Sequence, residues 1–466
     1  RQVWSTRLMF IGNSVKDDDL ALTAQETVNW YIESQREGAR NSKALIGAQG
    51  TSEWTTVGTG VIRAILNHNE TFYVISGIKL YRVAQDKTVT LLGMFDESNQ
   101  PYISANLTQI IVVNGVSGYV WDEVTEIFTK ISDGDFYPSS TVCYQDGYLI
   151  FGREGTGQFF ISNVDDALTY DAINFDEAVL RGDIIQAVVS DTRNVWLFGT
   201  RTMEPWTNSG QTTGVPFTPL RGAASLRGTA AGRSVVSSQL GIFFLGDDHN
   251  VYWLNGYTPK NISTDAQSKE LTGYADVSDA YGFMMNMDGH WFYVLTLPTQ
   301  GRTFVYDPDE DAWHNRESYQ LGYWRASCYE QIFGINIVGD SESNKLGELD
   351  RHVYQEYGGH WISRRVSGVF AAKNKLVSAN RLELTFPSGQ VPQGITHQAR
   401  LRWSDNKGLT YGNPMIKTIG TAGAGNQRLV WWSMGSFRQR VYELSVSTPA
   451  NRDLIDEDFL YEIGGL

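Results

Sequence analysis

The stretch Val61-Ile-Arg-Ala-Ile-Leu66, then Thr71-Phe-Tyr-Val-Ile-Ser76, then Lys79-Leu-Tyr-Arg-Val83 reads as three short strands separated by turns. Val235–Ser238 with Gly241–Gly246 and Val251–Leu254 repeats the pattern. So does the series Val277–Ala280, His290–Leu297, Thr303–Tyr306 and Ala312–Trp313. Copies return at intervals of roughly 40–50 residues, a period typical of stacked strand repeats. Their first strands begin near Val61, Tyr102, Ser140, Ile184, Ser234, Val277 and Arg325. A strand cluster of this size cannot bury both faces alone and has to stack on its neighbours, most simply around a ring. The expected fold is all-β: a β-propeller over residues 57–360, with seven blades, or six and a distorted unit.

Composition agrees with that reading. Of 466 residues, 41% are hydrophobic and 19% charged, against about a quarter charged in an average domain. The 46 Gly, 23 Tyr, 21 Phe and 14 Trp suit aromatic strands joined by glycine turns. Long windows of helix formers are scarce, which disfavours bundles and doubly wound folds. The net charge is −14 and the pI about 5.0. Nucleic-acid affinity comes largely from Lys and Arg displacing counterions, so the chain as a whole is not built to grip DNA. One stretch runs against the trend: in Arg351–Arg381 the basic residues Arg351, Arg364, Arg365, Lys373, Lys375 and Arg381 outnumber Glu356. It reads as a solvated face or a protein interface.

From residue 361 the spacing changes. Arg365–Phe370, Arg381–Phe386, Gln398–Ser404, Arg428–Trp432 and Arg438–Ser447 alternate as strands, with Val441, Leu444 and Val446 expected close together. A last strand, Phe459–Ile463, follows the acidic run Asp453–Asp458. Residues 361–466 are expected to form a β-sandwich-like domain. Residues 1–56 do not fit the repeat and read as an N-terminal arm. Within it lies the acidic run Asp17–Asp19, and Thr23-Ala-Gln-Glu26 has capping-box spacing ahead of Val28, Trp30, Tyr31 and Ile32. A short helix and an extended arm are both compatible with it.

Motifs for chemistry are sparse. Trp403–Tyr411 resembles the Asp-box of sialidase-type propellers, which is itself a structural turn, and reads here as a hairpin turn. Val305–Trp313 resembles a kelch-type strand–turn–strand; its carboxylates lack the ladder of a calcium loop. The seven histidines sit at no ligand spacing, and no nucleophile elbow or Walker loop occurs. Gly420–Gly425 reads as a plain loop, and Asn261–Ser263 is a sequon without a secretory signal. Cys143 and Cys328 occupy equivalent first-strand positions in separate repeats, so no disulfide is expected. No apolar run reaches the ~18 residues of a membrane span, and no signal peptide opens the chain; it is expected to be soluble and made in a reducing compartment. No catalytic residue, cofactor or metal is assigned.

Three stretches, taken in order, carry a resemblance. They are Phe160–Asp166 with Phe198–Trp206; Val251–Gly256 leading to Asn261–Thr264; and Phe304–Asp307 with Trp313 and, later, Arg438–Ser447. Together, over about residues 150–466, they are similar to the packaged-DNA stabilisation proteins of short-tailed phages. The resemblance implies a structural, non-enzymatic virion protein: a ring of six copies forming the tail hub or nozzle below the portal, assembled in the host cytoplasm. It implies a portal adaptor and fibre, spike or needle proteins as partners, passing double-stranded DNA without specific binding, and no membrane anchoring. Six chains at −14 carry about 84 negative charges, a wall of the same sign as DNA phosphate. The alternatives are a propeller glycan hydrolase, which needs convergent acids or an arginine cluster at the ring's centre, and a propeller binding module. Insertions Glu154–Leu180 and Pro205–Arg233 break the repeat. With the basic stretch they single out Arg364, Arg365, Lys373, Lys375, Pro205 and Trp206 as candidate partner contacts.

Overall fold

The computed structural model describes residues 3–6, 10–12, 25–34, 43–178, 180, 182–373, 375–387, 391–421, 423 and 427–464. Asp17–Asp19 and Thr23 lie outside them.

Seven four-stranded antiparallel sheets follow one another along the chain. Their innermost strands are Ile62–His68, Tyr102–Ala105, Ser139–Gln145, Ile185–Ser190, Val236–Ser238, Tyr281–Met287 and Ala326–Ile332. Each inner strand touches the next, and the seventh touches the first, so the sheets are the blades of a closed seven-bladed propeller. The blades stack through period-two alternation. In Thr71–Ser76, Phe72 and Val74 pack against Ile337 and Leu346 of blade seven, whereas Tyr73 and Ile75 pack against Ile110, Val112 and Trp121 of blade two. A middle strand with a blade on either side is buried on both faces, which is why Gln109–Val113 reads as a near-continuous apolar run.

Blade seven takes its outer strand from far away. Gly50–Thr56, assigned to the arm on sequence, pairs antiparallel with Lys345–Asp350 and closes the ring. Trp54 anchors it between Phe72 and Phe333, at 6.3 and 6.2 Å. Gly50 has no alternative, since a Cβ there would run into the Val353 carbonyl. Two local readings also shift. In blade six, Val277–Ala280 is a turn braced by Ser278 N–H donating to Asp276, and the strand starts at Tyr281. Between blades five and six, Asp265–Gly273 is a helix: the Thr264 side chain accepts from the Gln267 N–H while Gln267 reaches back, a capping box present in the sequence but not picked out above.

The C-terminal domain is a sandwich. One sheet orders Val3–Thr6, Asp456–Ile463, Val377–Phe386 and Gln427–Trp432; the other runs Glu26–Val28, Ser363–Val366, Gln439–Val446, His397–Ser404 and Met415–Gly420. Tyr442, Leu444 and Val446 face the core between the sheets, while Val441 lies on the other face against Val366, because side chains alternate along a strand. Trp403–Tyr411 holds the turn of the hairpin between His397–Ser404 and Met415–Gly420.

The N-terminal segment is no free arm. Glu26–Val28 pairs with Ala312–Asn315 of blade six on one side and with Ser363–Val366 of the sandwich on the other, joining the two domains in one continuous sheet. Among the described residues of this segment no helix forms. The hairpin of Trp30–Ser34 and Lys43–Gly47 then offers alternate residues to the two domains. Trp30, Ile32 and Leu45 enter the sandwich core, and Tyr31, Ala44 and Ile46 enter the core of blades six and seven. A strand hairpin serves as a double-sided wedge because its period is two; a helix would present one stripe.

Candidate functional site

The inner strands of all seven blades line one central channel, which holds a cavity of about 800 Å3. Its charged lining residues are Arg63, Arg233 and Glu330. Arg63 donates to the neutral Gly77 carbonyl (3.4 Å) and to Gln100 Oε1 (3.3 Å). Arg233 lies over the Tyr281 ring, 5.2 Å from its centroid. Glu330 accepts from the Asn67 and Gln331 N–H groups at 3.4 and 3.2 Å, and burial pushes its carboxyl above the ordinary range. Cys143 and Cys328 are free thiols on the same channel wall, both held protonated by burial, Cys328 at about 11.

The junction between propeller and sandwich is built on three fully buried arginines, Arg316, Arg365 and Arg452. Arg365 donates to the Phe10 carbonyl (2.7 Å), the Thr27 hydroxyl (2.5 Å) and the Gly12 carbonyl (2.9 Å). Arg452 donates to the carbonyls of Tyr354 (2.6 Å) and Trp361 (3.3 Å) and to Ser363 (3.0 Å). Arg316 donates to the Gln49 carbonyl (2.5 Å) and lies flat on Trp324, 3.8 Å from the ring centroid. Burial lowers all three guanidinium pKa values to about 10, still charged at neutral pH. The fixed fork of donors on a guanidinium lets Arg365 and Arg452 each satisfy two carbonyls at a crossing of irregular segments, where no ladder is available.

The six candidate contacts divide accordingly. Arg365 is interior and cannot meet a partner. Its neighbour Arg364 is half-buried, bonded to Glu26 (3.3 Å) and near Glu317 (3.8 Å). Pro205 and Trp206 are also interior: they sit in the third strand of blade four, Met203–Asn208, with Trp206 edge-on to Phe159 at 4.9 Å. Lys373 and Lys375 are exposed on the sandwich. Pro205–Arg233 holds the end of the third strand and the short outer strand Phe217–Pro219 of blade four, the remainder being loop and 3-10 turns. Glu154–Leu180 contains the last two strands of blade three, the outer one, Asp166–Glu177, being unusually long and leaving Ile173 and Phe175 exposed.

Family models described as the β-propeller and the β-sandwich of bacteriophage P22 Gp10 match residues 9–354 and 363–454. The chain belongs to the bacteriophage P22 Gp10 family. It is therefore a phage structural protein of the virion tail. No curated protein matches it. Among solved structures, the computationally designed Ika8 protein is 10% identical, with a TM-score of 0.43 over 64% of this chain and 100% of that one. A chain of the mitotic checkpoint complex is 11% identical, at 0.43 over 68% and 95%. PorZ, a surface component of the type-IX secretion system of Porphyromonas gingivalis, is 10% identical, at 0.39 over 81% and 46%.

One further cluster in this Gp10-family chain gathers potential metal ligands: His290, Asp307 and Asp309 converge at the rim of blade six. Their atoms are already engaged. Asp307 accepts from the N–H groups of Asp309 (2.9 Å) and Glu310 (3.2 Å) and bonds His290 Nδ1 (2.9 Å), and Asp309 accepts from Trp291 N–H (3.3 Å). That is a capped turn of the kind the Asp-Pro-Asp-Glu-Asp motif suggests. Sequence reasoning missed Arg63, Arg233, Arg316 and Arg452, and it named Arg365 as a partner contact where the structure buries it. Arg63 stands in the first strand of blade one and Arg233 in the turn ahead of blade five, and only ring closure brings them to one channel.

Proposed function

We propose that copies of this chain, six in number, form the ring-shaped tail hub or nozzle below the portal, retaining packaged DNA and conducting it during ejection. The observation that carries this reading is the pair of Gp10 family matches, which together take in both domains. The architecture supports it: a hub under the pressure of packed DNA has to be stiff, and here the wedge hairpin and the continuous sheet bind the two domains into one unit. Charge supports it too, since a chain at −14 gives passing DNA nothing to adhere to. A duplex whose major groove alone is about 12 Å wide does not fit a propeller cavity of about 800 Å3. The passage for DNA is therefore formed between subunits.

Partners in this reading are the portal adaptor and fibre, spike or needle proteins. The exposed parts of the regions singled out on sequence, Lys373, Lys375 and the strand Asp166–Glu177, are the contact surfaces we assign. Of the two features a glycan hydrolase calls for, convergent acids are not met by the channel lining, which among the described residues offers one carboxylate, Glu330, and its arginines are two, Arg63 and Arg233. Electron microscopy of the purified protein, alone and with its adaptor, tests the proposal. A six-fold ring of 52.2 kDa chains with a bore wide enough for a duplex is expected. A species that stays monomeric in both samples overturns it.

A further inference from the structure

The seven inner strands run in the same direction, so residues at their starts share one mouth of the channel. Arg63 is the second residue of its strand, Tyr102 and Tyr281 open theirs, Arg233 lies three residues before Val236–Ser238, and Cys328 is the third residue of its strand. Glu330 stands further along, toward the opposite mouth. Arg63, Tyr102, Arg233, Tyr281 and Cys328 all line the one cavity. Among the described residues neither guanidinium meets a carboxylate: Arg63 has only neutral acceptors, and Arg233 has only the Tyr281 ring face. Two like charges lining one cavity repel one another, and burial lowers the pKa of both. The contrast with the rest of the molecule is sharp, because elsewhere acidic residues prevail. A pair of forked donors without a counter-ion is what a bidentate oxyanion completes.

We propose that the central channel of the propeller binds a small oxyanion, a carboxylate or phosphate group, between Arg63 and Arg233. Tyr102 and Tyr281 wall the site. This assignment stands apart from the hub reading, since it concerns the interior of one chain and not the passage between chains. Calorimetric titration of the full chain with sodium phosphate, and separately with sodium acetate, at fixed ionic strength in chloride buffer tests it. One saturable site is expected for at least one of the two anions, the stronger identifying the group. Arg63→Gln and Arg233→Gln should each weaken it by about tenfold or more, the loss of a charge-assisted contact. Arg428→Gln, exposed on the sandwich, should leave it unchanged. If a channel variant fails to fold, the wild-type chain still answers through its only two thiols, which both face the channel: saturating anion should slow their maleimide labelling several-fold. No saturable binding of either anion, or binding untouched by both channel variants, overturns the proposal.

Discussion

Arg364 and Arg365 stand side by side in sequence and do unrelated things. On an edge shared by two domains, one side chain points out to Glu26 and the other into a crossing of backbone carbonyls. Arg365→Leu should therefore act on stability: each orphaned buried acceptor costs about 1–3 kcal/mol. Lys373→Ala and Lys375→Ala should stay within about 0.5 kcal/mol of wild type. Urea unfolding of the three variants measures the contrast. Trp206→Ala should cost about 3–5 kcal/mol through the hole it leaves beside Phe159. Burial also sets a pH dependence. His314 and His397 are held neutral by desolvation, their pKa values lowered to about 3 and about 4. From about pH 6.5 downward the unfolded chain binds protons that the folded chain refuses, so stability falls as pH drops toward 4. His290 has the opposite sign: its pKa is raised, first by the Asp307 bond, so its contribution is full below pH 6.5 and fades as pH rises through the raised value. Equilibrium unfolding between pH 7.5 and 4.5 should show the net acid loss, smaller in His314→Gln with His397→Gln. None of this was legible beforehand, because burial of a lone histidine or arginine depends on what the distant chain lays over it.

At the scale of elements, strands and their order were largely legible, since alternation and turn residues are local signals. Blade starts were read to within a few residues, the exception being Val277–Ala280, where an Asp–Ser turn imitates a strand. The N-terminal segment was opaque for a physical reason: Glu26–Val28 and Gly50–Thr56 have no partner nearby in sequence and acquire one only through pairing over about 300 residues. A chain beginning at Val57 should lose the closing strand of blade seven and expose Ile337 and Leu346. Its thermal unfolding, followed by circular dichroism, should come many degrees lower or be absent. Deletion of Pro205–Arg233 would remove Trp206 and Phe217 from the core of blades three and four, so it cannot report on docking. The cleaner probe is Ile173→Asp with Phe175→Asp on the exposed outer strand. The monomer should keep its melting temperature and lose incorporation into tails, scored by the protein content of purified particles.

For the whole molecule, the wedge hairpin predicts that propeller and sandwich unfold together. Calorimetry should show one transition, and two well-separated ones would mean that the domains are joined only loosely. The net charge predicts no retention of duplex DNA by the isolated chain at physiological salt, checked by gel shift at micromolar protein. From its residues alone the chain determined an all-β body of strand repeats, a change of period near residue 361, an acidic balance and a Gp10-like pattern. Each of those follows from short-range periodicity or from a sum over side chains. Only the tertiary structure decided that strands within the first 56 residues close the ring and clamp the domains, that Arg365 and Trp206 are interior, and that Arg63 and Arg233 line one channel. Those facts depend on which distant strands pair and on the closing of a circle, and no local window of sequence carries that information.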